Sequence, residues 1–419
     1  MSLSQTASGA DIHLSGEQEN AIELCCDVSN RIAAVTGGAG TGKTLVLGFV
    51  YHELAKKYKV ALCAPTGRAA KRVFELTGIR AKTIHKLLEY PQPDDDPIYN
   101  RDGDVVPPRL EPKRNSTNPF EEFVILVDES SMVGPELYRQ LIGALQKKGV
   151  IRFFGDDNQL LPVEEGAPPF RSILKKFPAI TLSYNFRSGD EVVGNAYRIL
   201  RGQIPLRNSR FDVWYSDTPV RSLLKHIEKH PECAGDDRQI IMPTRKGPVG
   251  TVRINPSIQV KLNRSKELLR LPRFSDKEFP LVVRANDKFL WVKNDYQLDM
   301  FNGEIGRIAS IDTEDGSLRL RTVEGRDVEI PPSIRAYNAY LNTTINYDPR
   351  KQIELGYAIT THKAQGSEFS SIVYCMSSTV PFLLNRNNFY TAVTRARLDV
   401  LVIADRRAMA LALRRERRD

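Results

Sequence analysis

The sequence lacks the features of a membrane-spanning or disulfide-stabilised protein. None of its apolar runs approaches the roughly 18 residues that a helix needs to span a bilayer. It contains 5 cysteines, an odd number, and no C-x-x-C pair, which is typical of reduced thiols. The first residues do not show the charged-then-apolar layout of a signal peptide. We therefore expect a protein of the cytoplasm.

The composition is that of an ordinary globular protein with a surplus of basic residues. Apolar residues make up 41% and charged residues 26% of the 419 positions, and a chain of this length holds about two to four domains. The 60 lysines and arginines outnumber the 51 aspartates and glutamates, which gives a net charge of +9. This surplus favours a polyanionic partner, although a basic surface that serves only solubility explains it equally well.

The most specific motif is the octet GGAGTGKT at 37–44, which fits the P-loop pattern G-x-x-x-x-G-K-[ST]. Its glycines let backbone N–H groups curl around a phosphate chain, Lys43 has the reach for the β- and γ-phosphates, and the Thr44 hydroxyl suits Mg²⁺. A strand-like run precedes the octet and a helical pattern follows it, which puts a helix N-terminus under the phosphates. We expect a nucleoside triphosphate and Mg²⁺ at Gly37, Gly38, Ala39, Gly40, Thr41, Gly42, Lys43 and Thr44.

Strand-like runs alternate with helical patterns along two blocks of the chain, which meet near residue 180. The alternation predicts an α/β fold in which parallel sheets are covered by helices, with ligands at the carboxyl ends of the strands. We predict a first domain over 1–180 and a second over 181–419. The strand-like runs are 32–36, 60–64, 123–127, 150–154, 180–184, 239–242, 372–376 and 400–404, and the last helical pattern is 387–397.

Two segments break the alternation and are predicted to be inserts. Residues 89–121 are rich in Pro, Asp and Asn, and Asp102-Gly103 stands between β-forming residues, which indicates a hairpin. A disordered surface loop is the alternative for this segment. At about 260–345, short β-rich runs are separated by Asn-Gly, Asp-Gly and Glu-Gly, which favours a small β-barrel in the second domain.

Polar residues that suit phosphoryl transfer follow the predicted strands. In FVILVDE, Asp128 is placed to hold Mg²⁺ and Glu129 to polarise the attacking water. In GDDNQLLPV, Gln159 is a neutral group able to contact both the γ-phosphate and the water. Arg187 in YNFRS and Arg395 in YTAVTRAR are candidates for arginine fingers, although each taken alone would more often form a surface salt bridge.

The order of these motifs resembles that of the superfamily 1 helicases, in particular the 5′-to-3′ branch that includes RecD and the bacteriophage Dda protein. Phe186 stands where the family commonly has tyrosine. The short interval between Lys43 and Asp128 leaves no room for the large helical insertion that the 3′-to-5′ branch usually carries there. The supporting segments are LSGEQENA (14–21), CAPTGRAAKRV (63–73), AKTIHKLL (81–88), VDESSMV (127–133), GDDNQLLPV (155–163), LSYNFRS (182–188), IIMPTRKGPVGTVRIN (240–255), NDKFLWVKNDYQLDMFNGEIG (286–306), YAITTHKAQGSEF (357–369) and YTAVTRAR (390–397).

The resemblance implies two RecA-like domains with ATP bound between them. Gln18 would then read the adenine, Gly366 and Glu368 would lie at the nucleotide, and Arg187 and Arg395 would complete the site from the second domain. It also implies an SH3-like barrel as the second insert and a strand-separating pin at the hairpin, with Tyr99, Asp102 and Gly103 at the pin. The residues implied to contact single-stranded DNA are Thr66, Thr83, His85, Thr361 and His362.

The resemblance further implies an ATP-dependent DNA helicase that moves 5′ to 3′ on single-stranded DNA and unwinds forked duplexes. It would act as a monomer in a bacterial cell or phage-infected bacterium, with replication or recombination proteins as partners. One alternative is a nucleic-acid-binding subunit of a larger repair or replication complex, in which the ATPase is regulatory. Another is an RNA-directed helicase of the same superfamily, since no residue here reveals a preference for the 2′-hydroxyl.

Overall fold

The computed structural model describes residues 13–90, 98–99, 105–106, 111–162, 166–186, 190–273, 280–295, 297–338 and 343–415. Of the predicted functional residues, Arg187, Asp102 and Gly103 lie outside these ranges, and Tyr99 is described by its backbone alone. Among the described residues, none of the helices is both long and apolar enough to cross a membrane.

Residues 13–186 form the first unit, whose helices and strands alternate along the chain. Its helices are α1 (Gly16–Cys26), α2 (Lys43–Ala55), α3 (Gly67–Thr77), α4 (Ile84–Leu87), α5 (Pro135–Gly143) and α6 (Pro169–Lys176). Its strands are β1 (Ile32–Gly37), β2 (Val60–Ala64), β3 (Lys82–Thr83), β4 (Ile98–Tyr99), β5 (Val105–Val106), β6 (Val124–Val127), β7 (Val150–Gly155) and β8 (Ala179–Leu182).

Residues 190–415 form the second unit. Its helices are α7 (Asp190–Leu200), α8 (Pro219–Lys229), α9 (Thr251–Leu262), α10 (Thr361–Ala364), α11 (Arg386–Val393) and α12 (Arg406–Arg414). Its strands are β9 (Phe211–Tyr215), β10 (Arg238–Met242), β11 (Leu268–Leu271), β12 (Leu281–Arg284), β13 (Lys288–Trp291), β14 (Ile305–Ile311), β15 (Leu318–Thr322), β16 (Asp327–Ile330), β17 (Ile334–Asn338), β18 (Thr343–Tyr347), β19 (Ile353–Leu355), β20 (Ala358–Thr360), β21 (Phe369–Met376) and β22 (Ala396–Ala404).

The first unit is built on a six-stranded parallel sheet in the order β3-β2-β6-β7-β1-β8. Strands β6 and β7 are buried along their whole length, as expected of a parallel sheet covered on both faces. The pattern at 180–184, assigned from the sequence to the second block, instead contributes β8 to this sheet beside β1. Periodicity shows that a short apolar run is buried, but it does not show which sheet the run joins.

The second unit contains a five-stranded parallel sheet in the order β20-β10-β21-β22-β9. Helix α11 ends at Val393, and the next strand begins at Ala396, so the helix predicted over 387–397 is too long at its C-terminal end. Arg395 therefore lies in the turn between α11 and β22 rather than on a helix.

The second unit also contains an antiparallel sheet in the order β16-β15-β14-β13-β19. Burial alternates along β15, which is typical of a sheet with one face on the core. Strand β19 lies beyond the predicted end of the insert at 345 and pairs with β13. In the first unit, β4 and β5 pair antiparallel, with Ile98 opposite Val106. The SH3-like barrel and the pin remain predictions.

Candidate nucleotide site and the contacts around it

The P-loop links the end of β1 to the start of α2 and depends on left-handed glycines. Gly40 has φ 80° and Gly42 has φ 82°, a region that residues with a side chain rarely adopt. A Cβ on Gly42 would also lie 2.4 Å from Nε2 of Gln18. Backbone conformation and close packing therefore both require glycine at 42.

The side chain of Lys43 folds back onto the backbone of the P-loop. Lys43 Nζ donates to the carbonyl oxygens of Gly37 at 2.7 Å and of Gly38 at 2.8 Å. The Thr41 hydroxyl donates to Gly38 O at 2.9 Å, which closes the turn from within. The lysine ammonium and the N-terminus of α2 thus face the same loop, an arrangement that suits a bound anion.

Gln18 lies against this loop because it belongs to the N-terminal cap of α1. Its Oε1 accepts from Ser15 N at 3.0 Å, and its Nε2 donates to Thr41 O at 3.2 Å. The backbone N–H of Phe186 donates to Gly40 O at 2.9 Å, and the Phe186 ring is half exposed beside Gly42. Sequence reasoning noted Phe186 only as a departure from the family. Its backbone contact with the loop has no local sequence signal.

Two carboxylates follow β6 at the floor of the site. Burial, and next the neighbouring Glu129 carboxylate, raise the pKa of Asp128 to about 6, whereas Lys43 and Arg72 act in the opposite direction. Glu129 has a positive φ of 49°, a strained conformation that is typical of functional sites. Within the described residues, Glu129 Oε2 and Gln159 Oε1 are buried without a hydrogen-bond partner. These oxygens fit a ligand that supplies a cation or a donor.

The loop at 156–160, which carries Gln159, is held by side chains of the second unit. Asn387 Nδ2 donates to Asn158 O at 2.9 Å, and Gln365 Nε2 donates to Leu160 O at 3.2 Å. The Thr391 hydroxyl accepts from Leu160 N at 2.9 Å.

The same loop is also held through a side chain, because the Tyr390 hydroxyl donates to Asp156 Oδ2 at 2.9 Å. The predicted catalytic glutamine therefore lies where the two units meet.

The structure gives other surroundings to three residues predicted at the nucleotide. Arg395 is buried, and its guanidinium donates to Thr391 O at 3.0 Å and to the Thr394 hydroxyl at 3.2 Å. Glu368 forms an ion pair with Arg72 of the first unit. Gly366 lies against Ala69 on α3. In this conformation these three residues make contacts within or between the units.

The residues predicted to contact DNA fall into two groups. Thr83 and Thr361 are buried: the Thr83 hydroxyl caps α4 through Lys86 N, and the Thr361 hydroxyl donates to Asn388 Oδ1 at 2.7 Å. In this conformation their hydroxyls bond to the local backbone and core, and the DNA contact of both residues stays a prediction. The others, Thr66, His85 and His362, are exposed or half-buried.

Three basic residues of α3 contact the second unit. Arg68 Nη1 donates to Gly303 O at 2.7 Å, Lys71 lies 3.2 Å from Glu324 Oε2, and Arg72 pairs with Glu368. A Cβ on Gly67 would lie 2.3 Å from the Phe301 ring. Helix α3 is thus a docking element between the units.

Comparisons with known proteins agree with the two-part architecture. Residues 13–211 match the family model of an AAA domain, and residues 355–403 match that of a UvrD-like helicase C-terminal domain. The first match contains the P-loop and both carboxylates. Together with the loop geometry, it shows a nucleotide-binding site.

Curated relatives match almost the whole chain. The chain is 28% identical over 410 residues to the ATP-dependent RecD2 DNA helicase of Deinococcus radiodurans, a match that covers 96% of this chain and 51% of that protein. It is 26% identical over 437 residues to the RecBCD enzyme subunit RecD of Mycolicibacterium smegmatis, covering 93% of this chain and 71% of that protein. The chain thus spans about half the length of the RecD2 helicase.

Solved structures share the fold over nearly the full length. Pif1 of Bacteroides bound to single-stranded DNA superposes with a TM-score of 0.59 at 21% identity, covering 96% of this chain and 94% of that one. Pif1 of Candida albicans gives 0.58 at 21% identity, covering 95% and 97%. The likeness confirms the predicted fold class of two RecA-like units. The motif order, the family models and the relatives together make the chain similar to the superfamily 1 helicases of the RecD type.

Proposed function

We propose that the protein is an ATP-dependent DNA helicase that moves 5′ to 3′ along single-stranded DNA. One observation carries the proposal: the P-loop of the first unit lies under side chains of the second. A Cβ on Gly38 would lie 2.7 Å from the Tyr197 hydroxyl and 3.1 Å from the Tyr390 hydroxyl. A nucleotide bound at such a boundary changes how the units dock, and this is the requirement for a motor.

The residues of the P-loop and those around it have separate roles in binding ATP. Lys43 leaves the carbonyl oxygens of Gly37 and Gly38 for the β- and γ-phosphates, and Gln18 reads the adenine from α1. Thr44 and Asp128 would hold Mg²⁺, and burial and the neighbouring Glu129 carboxylate, which raise the pKa of Asp128, make a cation there favourable. The bound ion supplies charge neutralisation at the phosphates.

The remaining groups act on the transferring phosphoryl group. Glu129 orients and polarises the attacking water, and Gln159 contacts both the water and the γ-phosphate. Arg187 and Arg395 supply cations from the other side of the cleft, where they stabilise charge in the transition state. Arg395 is held by Thr391 and Thr394 before closure, so this role requires it to exchange these partners for phosphate oxygens.

We propose that the nucleic acid along which the protein moves is DNA. The relatives are named as a DNA helicase and as a RecBCD subunit, and one structural neighbour was solved with single-stranded DNA. Thr66, His85 and His362 are the accessible residues from the predicted set, and groups of this kind position a phosphate backbone without reading sequence. The hairpin around Asp102-Gly103 is proposed as the pin, since each base step resists opening by roughly 1–2 kcal/mol.

We propose action as a monomer on forked DNA. The RecD relatives are named as subunits of RecBCD, so a replication or recombination complex is the setting in which partner proteins would be sought. The nucleotide motifs of an active ATPase are intact in the sequence, which argues against a purely regulatory role.

ATP hydrolysis by the purified chain, with and without single-stranded DNA, tests the proposal. We expect DNA to stimulate hydrolysis, and Lys43→Ala to abolish the stimulated turnover while single-strand binding persists. Adding single-stranded RNA in place of DNA tests the RNA-directed alternative in the same assay. Turnover retained by Lys43→Ala would remove the P-loop from the mechanism, and stimulation by RNA alone would overturn the choice of DNA.

A further inference from the structure

Tyr390 is one of the side chains that join the second unit to the loop at 156–160. It lies on α11, is 1% exposed, and its hydroxyl donates to Asp156 Oδ2 at 2.9 Å. Asp156 is 0% exposed, so both partners of this hydrogen bond are removed from water. A hydrogen bond to a buried carboxylate is among the stronger ones in proteins, and its loss leaves the charge poorly compensated.

Asp156 in turn organises the loop that carries Gln159. Its Oδ1 accepts from Asn158 N at 3.1 Å, and its Oδ2, which receives the Tyr390 hydroxyl, also accepts from Gln159 Nε2 at 3.4 Å. The amide nitrogen of Gln159 is therefore tied to the carboxylate. Its oxygen, Oε1, is buried and has no hydrogen-bond partner among the described residues. The carboxylate thus decides which way the glutamine amide faces.

The Tyr390 hydroxyl also touches the phosphate loop. A Cβ on Gly38 would lie 3.1 Å from it. Burial raises the pKa of Asp156, and the nearby Lys43 ammonium acts in the opposite direction. One hydroxyl from the second unit therefore lies against both the P-loop and the loop of Gln159. It can contact both only when the second unit is docked.

We propose that Tyr390 is a positioning residue that fixes the Gln159 amide through Asp156 and so makes ATP hydrolysis depend on docking of the second unit. The inference rests on the proposed ATP-driven function and adds to it a specific link. Neither Tyr390 nor Asp156 belongs to the catalytic set predicted from the motifs. Tyr390 acts through another residue, so its loss should slow turnover rather than weaken nucleotide binding.

The alternative is that Tyr390 serves packing alone, since it belongs to the large core of the second unit. Tyr357 provides a matched control for this alternative. It is also 1% exposed, and its hydroxyl donates to Asp287 Oδ1 at 2.7 Å, where Asp287 is likewise 0% exposed. Tyr357→Phe therefore removes the same type of bond in the same unit without touching the loop at 156–160.

The test compares Tyr390→Phe with Tyr357→Phe in steady-state ATP hydrolysis at saturating single-stranded DNA. We expect kcat to fall about tenfold in Tyr390→Phe, with KM for ATP changed by less than about twofold, because misplacement of a catalytic group lowers turnover. Tyr357→Phe should keep the wild-type kcat. Thermal unfolding of both variants checks that each is folded. An unchanged kcat in Tyr390→Phe, or an equal loss in both variants, would overturn the inference.

A double-mutant cycle with Asp156→Asn adds a second and independent readout. If Tyr390 acts through Asp156, the double variant should lose no more kcat than the more impaired single variant. Losses that multiply would show that the two residues act separately and would overturn the inference. Failure of the proposed function looks different, because the wild-type chain itself would then show no DNA-stimulated hydrolysis.

Discussion

The guanidinium of Arg72 on α3 forms an ion pair with the carboxylate of Glu368, which immediately precedes β21 of the second unit. Both side chains are less than a quarter exposed, so water screens this pair less than it screens a pair on the open surface. Burial lowers the pKa of Arg72, but Glu368 and, less strongly, Glu129 and Asp128 raise it above its usual value. The pair therefore connects the docking of the units to the carboxylates of the nucleotide site.

Reversing the charge at one end of this pair should uncouple the units. We expect Arg72→Glu to reduce DNA-stimulated hydrolysis severalfold, because two carboxylates then face each other in a half-buried site. Combining it with Glu368→Arg should restore most of the activity. The exposed pair Arg319–Glu329, 3.1 Å apart, is the control, and reversing it should change activity little. A double variant no better than Arg72→Glu would contradict this account.

A methyl group on Gly38 should obstruct contact between the units. Its Cβ would lie 2.7 Å from the Tyr197 hydroxyl oxygen, closer than side chains normally approach, so Gly38→Ala should lower hydrolysis strongly. Gly194→Ala on α7 is the control: its Cβ meets nothing within 4 Å, and alanine favours a helix by up to about 1 kcal/mol. ATP hydrolysis and the midpoint of thermal unfolding distinguish the two. Wild-type turnover in Gly38→Ala would mean that the units do not meet over the P-loop.

The buried Lys288 should make stability depend on pH. Its ammonium donates to Gly235 O at 2.8 Å and Arg238 O at 2.9 Å, yet burial lowers its pKa from 10.5 to about 7. Arg307 lowers this pKa further, and Asp236 raises it. Between pH 7 and 10.5 the unfolded chain binds a proton that the folded chain does not. The contribution of Lys288 to stability therefore rises with pH across this window, by at most about 1.4 kcal/mol per pH unit.

Denaturant unfolding of the wild type and Lys288→Met measures this contribution. The free energy of unfolding of the wild type, relative to the variant, should increase from about pH 7 to about pH 10. The comparison cancels the buried cysteines and tyrosines, whose pKa burial raises in both proteins alike. A difference that stays constant with pH would show that Lys288 is not buried in solution.

Loss of the hairpin formed by β4 and β5 should slow duplex unwinding more than it slows translocation on single-stranded DNA. Shortening residues 98–106 removes the proposed wedge but leaves the nucleotide site intact. We expect slower strand separation on a forked duplex and nearly unchanged translocation on single-stranded DNA. Shortening the exposed turn at 312–317, which joins β14 to β15, serves as the control. Equal losses in unwinding and translocation would refute the role of the pin.

Features of the fold and the site that depend on neighbouring residues in the sequence could be predicted, whereas those that depend on contacts between distant residues could not. The P-loop and the position of Gln18 are set by contiguous motifs and caps, so they could be predicted. The partners of Glu368 and Tyr390 lie in the other unit, and the partner of Thr361 lies on another helix of its own unit. All three depend on tertiary packing, which no local pattern encodes. For the same reason, the sequence-based prediction assigned β8 to the wrong sheet and continued α11 past Val393, because both features depend on tertiary contacts.

The direction of movement is the central claim, and unwinding of duplexes with one single-stranded tail tests it most directly. Two substrates of identical duplex sequence, one with a 5′ tail and one with a 3′ tail, are compared with ATP and with Lys43→Ala as the inactive control. A motor that moves 5′ to 3′ loads on the 5′ tail and reaches the duplex, so we predict preferential unwinding of the 5′-tailed substrate. Preferential unwinding of the 3′-tailed substrate would contradict the account.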